Sequence, residues 1–163
     1  MVNDISGGRL DPGILRVAAE AGAAIVLGHL RGAPATMMTD IAFSDVVAEV
    51  AAELGERIGA ARRSGCREIW ADPGIGFGKK IGHNLALLRE LPALRAKLGV
   101  PLMVGVSRKA FIGELTGKPA GQRAFGTAAA LAAAVLGGAD AVRVHDVDAA
   151  RDVVNVARAL ARD

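Results

Sequence analysis

The chain is poor in aromatic residues and almost free of cysteine. Aromatic residues make up 3% of its 163 positions, and tyrosine is absent. The hydrophobic core must therefore be built from aliphatic side chains and alanine, and little aromatic surface is left for stacking on nucleic acid bases. The single cysteine, Cys66, cannot form an internal disulfide bond. This favours a cytoplasmic setting and a simple packing role for the thiol.

Long hydrophobic runs and strongly charged segments are also missing. No run of about 20 apolar residues could cross a membrane, and no charged-then-apolar segment at the start indicates a signal peptide. Lys and Arg number 20 against 17 Asp and Glu, so the net charge of +3 is small and spread along the chain. We therefore expect no membrane partner and no nucleic acid partner. The slight positive excess fits an anionic small substrate.

What the sequence does contain is a strand-then-helix pattern repeated five times. Each short apolar run ends in polar or charged residues and is followed by a stretch with helical character. The runs with their polar ends are Met1–Val2 with Asn3–Asp4, Ala24–Gly28 with His29–Arg31, Ile69–Ala71 with Asp72, Leu102–Val106 with Ser107–Lys109, and Ala141–Val144 with His145–Asp146. Strands that alternate with helices in this way lie parallel and are joined by right-handed crossovers.

Periodicity and end signals predict the bounds of these elements. After a first strand ending at Asn3–Asp4, we expect strands at Ala24–Leu30, Glu68–Asp72, Pro101–Ser107 and Ala141–His145. We expect helices from about Asp11 to Gly22, Ser44 to Gly65, Asn84 to Leu98, Gln122 to Leu136 and Asp148 to Ala161, with polar loops elsewhere. The helix Gln122–Leu136 is nearly all alanine and leucine, so we expect it to lie between other elements rather than to face water.

Two α/β architectures fit this pattern, an open doubly wound sheet and part of a closed (β/α)8 barrel. A full barrel takes about 250 residues, so a chain of this length would hold about five βα units of one. No linker interrupts the pattern, and residues 1–163 are predicted to form one domain. In a barrel, the carboxyl ends of the strands open onto the face where chemistry takes place.

The segment Asp72-Pro-Gly-Ile-Gly-Phe-Gly-Lys79 follows one such strand. Its alternating glycines allow a sharp turn and a close approach of the backbone to a ligand. The spacing matches neither a Walker loop nor the dinucleotide-binding fingerprint. Asp72 could accept two hydrogen bonds from a flat ring rich in N–H groups. It could equally cap the turn, and the spacing alone does not decide between these roles.

Cationic and amide side chains stand at the other strand ends. Lys109 could donate to a carbonyl or a ring nitrogen, although it could also be a solvated surface charge. Arg143 and His145 alternate on one strand and so share a face, which suits a phosphate. Asn3 could contact the edge of a heterocycle or cap a turn. The three histidines and one cysteine lack zinc-type spacing, so no metal held by protein ligands is predicted.

Four segments of the chain resemble the dihydropteroate synthases of folate biosynthesis, which belong to the pterin-binding TIM-barrel proteins. These segments are Val2–Gly7, Asp72–Lys79, Gly105–Lys109 and Arg143–Val147. The resemblance implies a barrel enzyme, a transferase, that condenses 6-hydroxymethyl-7,8-dihydropterin pyrophosphate with 4-aminobenzoate. It implies substrate-binding roles for Asn3, Asp72, Phe77, Gly105, Lys109, Arg143 and His145, with Asp72, Lys109 and Arg143 as catalytic residues.

The resemblance also implies which part of the substrates each residue binds, and it implies a metal ion and an oligomeric state. Asn3, Asp72 and Lys109 would hold the pterin, Phe77 would lie near the aminobenzoate, and Arg143 with His145 would bind the pyrophosphate. Mg²⁺ is expected with the pyrophosphate, its protein ligand lying in an N-terminal portion of the family that this chain lacks. Relatives are commonly homodimers through their last helices, so a homodimer is expected.

By this resemblance the chain corresponds to strands four to eight of the barrel, and we expect it to have no turnover alone. Two other hypotheses stay open. One is a non-catalytic half-barrel that binds a pterin or assembles with itself. The other is a pterin domain of the methyltetrahydrofolate methyltransferase type, which would leave pyrophosphate unbound.

Overall fold

The computed structural model describes residues 1–161 as five strands that alternate with helices. The strands are β1 (Val2–Asp4), β2 (Ile25–Gly28), β3 (Ile69–Asp72), β4 (Met103–Val104) and β5 (Ala141–Val142). The helices are α1 (Gly13–Glu20), α2 (Val46–Arg63), α3 (Ile81–Arg89), α4 (Leu91–Leu98), α5 (Ala110–Thr116), α6 (Ala124–Leu136) and α7 (Val147–Leu160), with a 3₁₀ turn at Ala120–Gln122. The predicted βα repeat is confirmed; the last two residues of the predicted domain lie outside the described part.

The strands neighbour one another in chain order, and all pairings are parallel. β2 lies between β1 and β3, with Gly28 opposite Asp72, and β4 pairs with β5. A bridge between Ala71 and Leu102 joins the two groups of strands. A doubly wound sheet reverses its strand order at a switch point, and the described strands show no reversal. The architecture is therefore part of a TIM barrel.

Aliphatic side chains build the core, as the composition predicts. Helix α2 turns one stripe inward, and its residues Val50, Leu54, Ile58 and Ala61 are buried. Its start differs from the prediction by two residues because Asp45, rather than Ser44, caps it by accepting two backbone N–H bonds. None of the helices in residues 1–161 has both the length and the apolar character needed to cross a membrane.

The predicted helix Asn84–Leu98 is in fact two helices, α3 and α4, and the first begins three residues early at Ile81. The break falls at Glu90, just before Pro92 in the first turn of α4. Proline lacks an N–H donor and its ring clashes with the preceding turn, so it is tolerated only where a helix begins.

Helix α5 lies where the sequence predicted a polar loop. It has seven residues, contains Gly113 and is followed by Gly117, which caps it in the left-handed conformation with φ 69°. A helix this short is unstable by itself. It forms because Phe111 and Ile112 are buried in the core, a contact that periodicity cannot reveal.

The expectation that Gln122–Leu136 lies between other elements is wrong for one face. In α6, Leu131 and Ala134 are buried, whereas Phe125 is 86% exposed and Leu136 is 52% exposed. The helix packs against α7, β5, α3 and α5, and the face that carries Phe125 is left exposed. Composition alone cannot distinguish this arrangement from a helix covered on every side.

Candidate active site

Polar side chains from three strands meet at the carboxyl ends of the sheet. The guanidinium of Arg143, just after β5, donates to the side-chain oxygen of Asn3 in β1 over 2.6 Å. Its other terminal nitrogen lies 3.3 Å from a carboxylate oxygen of Asp72 at the end of β3. Parallel strands carry their carboxyl ends to one rim, and the predicted residues Asn3, Asp72 and Arg143 are in direct contact there.

Asp72 caps the turn, which is one of the two roles that the sequence left open, and its second oxygen stays directed into the site. One carboxylate oxygen accepts the backbone N–H of Gly74 at 2.8 Å and so caps the turn. The other oxygen faces Arg143 and the site. Burial raises the pKa of Asp72, against the opposing effects of the Gly74 N–H and the cations Arg143 and Lys109. The carboxyl group is thus held in a dry position among positive charges.

Lys109 lies over the ring of Phe77, with its Nζ 3.9 Å from the ring centroid. Burial lowers the pKa of the Lys109 amine, and the charge of Asp72 opposes part of that effect. A Cβ on Gly76 would stand only 3.1 Å from Lys109 Cδ. The glycine-rich loop after β3 therefore shapes the path of this lysine towards the site.

Gly105 lets the guanidinium of Arg143 lie against the backbone after β4. A Cβ at this position would be 2.9 Å from Arg143 Nη2, which is shorter than real Cβ contacts. The position after β4 thus admits no side chain unless Arg143 moves. The structure gives Gly105 a steric function that the sequence motif did not specify.

His145 lies beside the same rim but is held by a different partner. Its Nδ1 is 2.9 Å from the Ser107 hydroxyl, which also accepts the His145 backbone N–H at 3.3 Å. A cavity of about 290 Å³ opens here, lined by Gly105, Ser107, Lys109, Arg143, Val144 and His145. Three side chains that can carry positive charge border this cavity, which therefore suits an anion.

Asp4 caps a turn and does not reach the site. Its carboxylate accepts from the Ser6 hydroxyl and from the Gly8 backbone N–H. The neighbouring Asn3 points to Arg143 instead. Alternation along β1 separates the two roles.

The sequence missed a polar cluster beside the site, in which Lys79 and His29 are buried and the partner Glu53 is 34% exposed. Lys79 is 2% exposed, and its Nζ lies 2.9 Å from His29 Nδ1. It also donates to the backbone carbonyls of Gly74 and Phe77, each at 3.1 Å. The lysine ties the glycine-rich loop to the end of β2. The sequence singled out the glycines of this loop and gave no signal that the lysine after them turns inward.

The remaining bonds of this cluster lead outwards to α2. His29 Nε2 lies 3.1 Å from a carboxylate oxygen of Glu53, which in turn pairs with Arg31. Burial, with the nearby Lys79 charge, lowers the pKa of His29 to about 4. Burial also lowers the pKa of Lys79 to about 7, although Asp72 and Glu53 oppose the change. The neutral forms of His29 and Lys79 are therefore more favoured than those of an exposed histidine or lysine.

Comparisons with known proteins show which family the chain resembles. The model of the pterin binding enzyme family matches residues 1–145. A dihydropteroate synthase from Synechocystis sp. is 46% identical over 165 residues, which cover 99% of this chain and 57% of the relative. A second, from Neisseria meningitidis serogroup B, is 43% identical and is covered to 58%.

Solved structures superpose over almost the whole chain. The dihydropteroate synthase of Stenotrophomonas maltophilia, with imidazole bound in its active site, gives a TM-score of 0.92 at 42% identity. That of Thermus thermophilus in complex with 6HMPPP gives 0.91 at 46% identity. The matches cover 98% and 97% of this chain but 61% and 63% of those proteins, so the chain spans about three fifths of such relatives. Since the family model extends over most of its length, the chain belongs to the pterin binding enzyme family.

Proposed function

We propose that the chain is the larger part of a dihydropteroate synthase. The reaction joins 6-hydroxymethyl-7,8-dihydropterin pyrophosphate to 4-aminobenzoate and yields 7,8-dihydropteroate and pyrophosphate, a step of folate biosynthesis. The observation that carries the proposal is the buried carboxylate of Asp72, set among Asn3, Lys109 and Arg143 at the carboxyl rim of the barrel. The lone free thiol of the described residues, Cys66, supports a cytoplasmic location.

The contacts of Arg143 support a pterin as the ligand of Asn3 and Asp72. The planar guanidinium donates a hydrogen bond to the amide oxygen of Asn3 and forms an ion pair with a carboxylate oxygen of Asp72. The amino-pyrimidine edge of a pterin offers a similar flat set of N–H donors. A bound pterin would replace the guanidinium at these oxygens, and the displaced cation would be free to face an anion.

The cavity beside Lys109, Arg143 and His145 suits the pyrophosphate group of the same substrate. In the proposed reaction the bond between the pterin methylene carbon and the pyrophosphate oxygen breaks, and its electron pair leaves with the pyrophosphate. The arylamine nitrogen attacks the methylene carbon and then loses a proton. Cations at the leaving group and the Asp72 carboxylate at the pterin would stabilise the separated charges. Phe77, under Lys109, lies on the side proposed for the aminobenzoate.

We propose that Mg²⁺ accompanies the pyrophosphate, since this ion commonly binds phosphate oxygens together with one or two carboxylates. Within residues 1–161, no group of three or more His, Cys, Asp or Glu side chains could hold a metal ion. The family resemblance, rather than this finding, leads us to expect the protein ligand for the ion in an N-terminal portion outside these residues. Within the chain, Arg143 and His145 would contact the pyrophosphate, because both border the cavity described above.

We also propose a homodimer formed through the outer face of α6 and its surroundings. An apolar groove of about 530 Å³ lies between α3, α5 and α6. Exposed apolar side chains continue this surface, notably Phe125 on α6 and Leu115 on α5. An apolar surface of this extent is typical of a protein interface.

The test joins the chain to the barrel units that it lacks. The three N-terminal βα units of the Synechocystis relative are fused before Met1, and release of pyrophosphate is measured with both substrates. We expect turnover from the chimaera and none from the 163-residue chain alone.

Substitution D72N in the chimaera should weaken binding of the pterin pyrophosphate roughly 10- to 100-fold, because it removes charge-assisted hydrogen bonds. The exposed K97M serves as the matched control.

Two results would decide against the synthase. A folded chimaera that binds methyltetrahydrofolate but no pterin pyrophosphate would indicate a domain of the methyltransferase type. A folded chimaera that binds neither ligand, together with a stable oligomer of the 163-residue chain, would indicate a self-assembling half-barrel. Turnover by the 163-residue chain alone would contradict the expected need for further barrel units.

A further inference from the structure

The backbone takes an unfavourable conformation directly before Lys109. Arg108 has a φ of 58°, and among the described residues only Asp40 is another non-glycine residue with positive φ. Asp40 lies in an exposed loop, and aspartate tolerates this conformation better than arginine does. A left-handed arginine persists only where its surroundings hold it in place. Arg108 itself is exposed, so its own side chain is not what fixes the turn.

The side chain of Arg123 holds this turn from the loop before α6. One terminal nitrogen donates to the carbonyl of Arg108 at 2.9 Å and to that of Lys109 at 3.2 Å. Its Nε donates to the carbonyl of Lys118 at 2.9 Å. A single guanidinium therefore joins three backbone carbonyls on both sides of α5, a geometry that a lysine ammonium cannot reproduce.

Two further features fit this arrangement. A Cβ on Gly113 would lie 2.1 Å from Arg123 Nη2, so the missing side chain in α5 is what allows the guanidinium to approach the helix. From α6, the hydroxyl of Thr127 accepts the backbone N–H of Arg108 at 3.1 Å. Both the N–H and the carbonyl of the left-handed residue are thus fixed by groups from one neighbouring segment.

We infer that Arg123 is a positioning residue, which holds Arg108 in its left-handed conformation and thereby directs Lys109 to Phe77 and Asp72. The turn is the only link between β4 and Lys109, so a change in its backbone moves the lysine. That Lys109 serves a pterin site rests on the proposed function. The position of Lys109 does not, and it is measurable without any ligand.

The test uses the ring-current shift caused by Phe77 to report whether Lys109 lies over its ring. The Nζ of Lys109 lies 3.9 Å from the centroid of the Phe77 ring. The adjacent ε-methylene protons should therefore give NMR signals upfield of those of other lysines, and substitution F77L assigns the effect. In the 163-residue chain, R123A should abolish the upfield shift, and R123K should abolish most of it. Thermal unfolding of each variant establishes that it is folded when the spectrum is recorded, and R123K serves if R123A is not folded.

A second substitution at Arg108 distinguishes a positioning role of Arg123 from a general effect on the stability of the fold. Glycine adopts positive φ freely, so R108G should restore the upfield shift in the R123A or R123K background. R108A removes the same side chain, but alanine still disfavours positive φ, so R108A should not restore the upfield shift. The inference is overturned if a folded variant at Arg123 keeps the full shift, or if R108A rescues as well as R108G. Failure of pterin binding in the chimaera would leave these outcomes unchanged, because they need no ligand.

Discussion

The guanidinium of Arg143 contacts the side chain of Asn3, 140 positions earlier in the chain. The two residues come from the first and last described strands, β1 and β5, which do not pair with each other. The same guanidinium reaches Asp72 at the end of β3. One cation therefore spans the inside of the partial barrel and neutralises its buried carboxylate.

Substitution of Arg143 by an uncharged residue should destabilise the fold, chiefly because the buried Asp72 carboxylate loses its ion-pair partner. The carboxylate is 5% exposed, and R143M would leave it buried without its closest positive partner. Breaking a fully buried pair costs about 3–5 kcal/mol. Because the Arg143 side chain is 36% exposed and partly screened, we expect a loss of roughly 1–3 kcal/mol in the free energy of unfolding by urea.

A double-mutant cycle checks that cause. In a D72N background no charge is left to neutralise, so R143M should cost less than about 1 kcal/mol there. Equal costs in both backgrounds would mean that Arg143 stabilises the fold through its packing and its bond to Asn3 and not through Asp72.

Lys79 should make stability depend on pH above neutrality. Burial lowers its pKa from 10.5 to about 7 in the folded chain. Between these values the unfolded chain binds more protons, so the free energy of unfolding should rise with pH, by up to about 1.4 kcal/mol per pH unit from this group. K79M should lack this contribution between about pH 7 and pH 10. The exposed K97M should follow the parent chain, and parallel curves for K79M and the parent would refute the assignment.

Gly74 should tolerate no side chain, because of both its conformation and its surroundings. Its φ is 68°, and a Cβ would lie 1.9 Å from the backbone oxygen of His29. We expect G74A to cost at least about 2 kcal/mol in urea unfolding. Gly55, exposed in the middle of α2, has open space around its Cα. G55A should therefore stabilise the chain by about 0.5–1 kcal/mol, and a mild G74A would show that the loop after β3 can shift freely.

The proposed dimer should depend on Phe125. This ring is 86% exposed on the outer face of α6, and F125E would place a charge in the apolar contact. Sedimentation velocity should give a dimer for the parent chain and a monomer for F125E. L10E changes a side chain that is 54% exposed outside the proposed interface, and it should leave the dimer intact. A parent chain that sediments as a monomer would contradict the proposed homodimer.

Short-range pattern predicted much of this molecule. Five apolar runs with polar ends were enough to place β1 to β5 in order, since a buried strand requires apolar residues over its length. The family-like segments picked out Asp72, Lys109 and Arg143. Helix α5 was missed because its stability comes from burial of Phe111 and Ile112 and not from its own sequence.

Local runs of side-chain polarity were enough to predict the βα repeat and the polar residues at the strand ends. Three contacts came from the packed fold alone: Arg143 lies between Asn3 and Asp72, Lys79 turns inward, and Arg123 binds the turn before Lys109. Those contacts join residues far apart in the chain. Their distances depend on how the strands and helices pack, which no local pattern encodes.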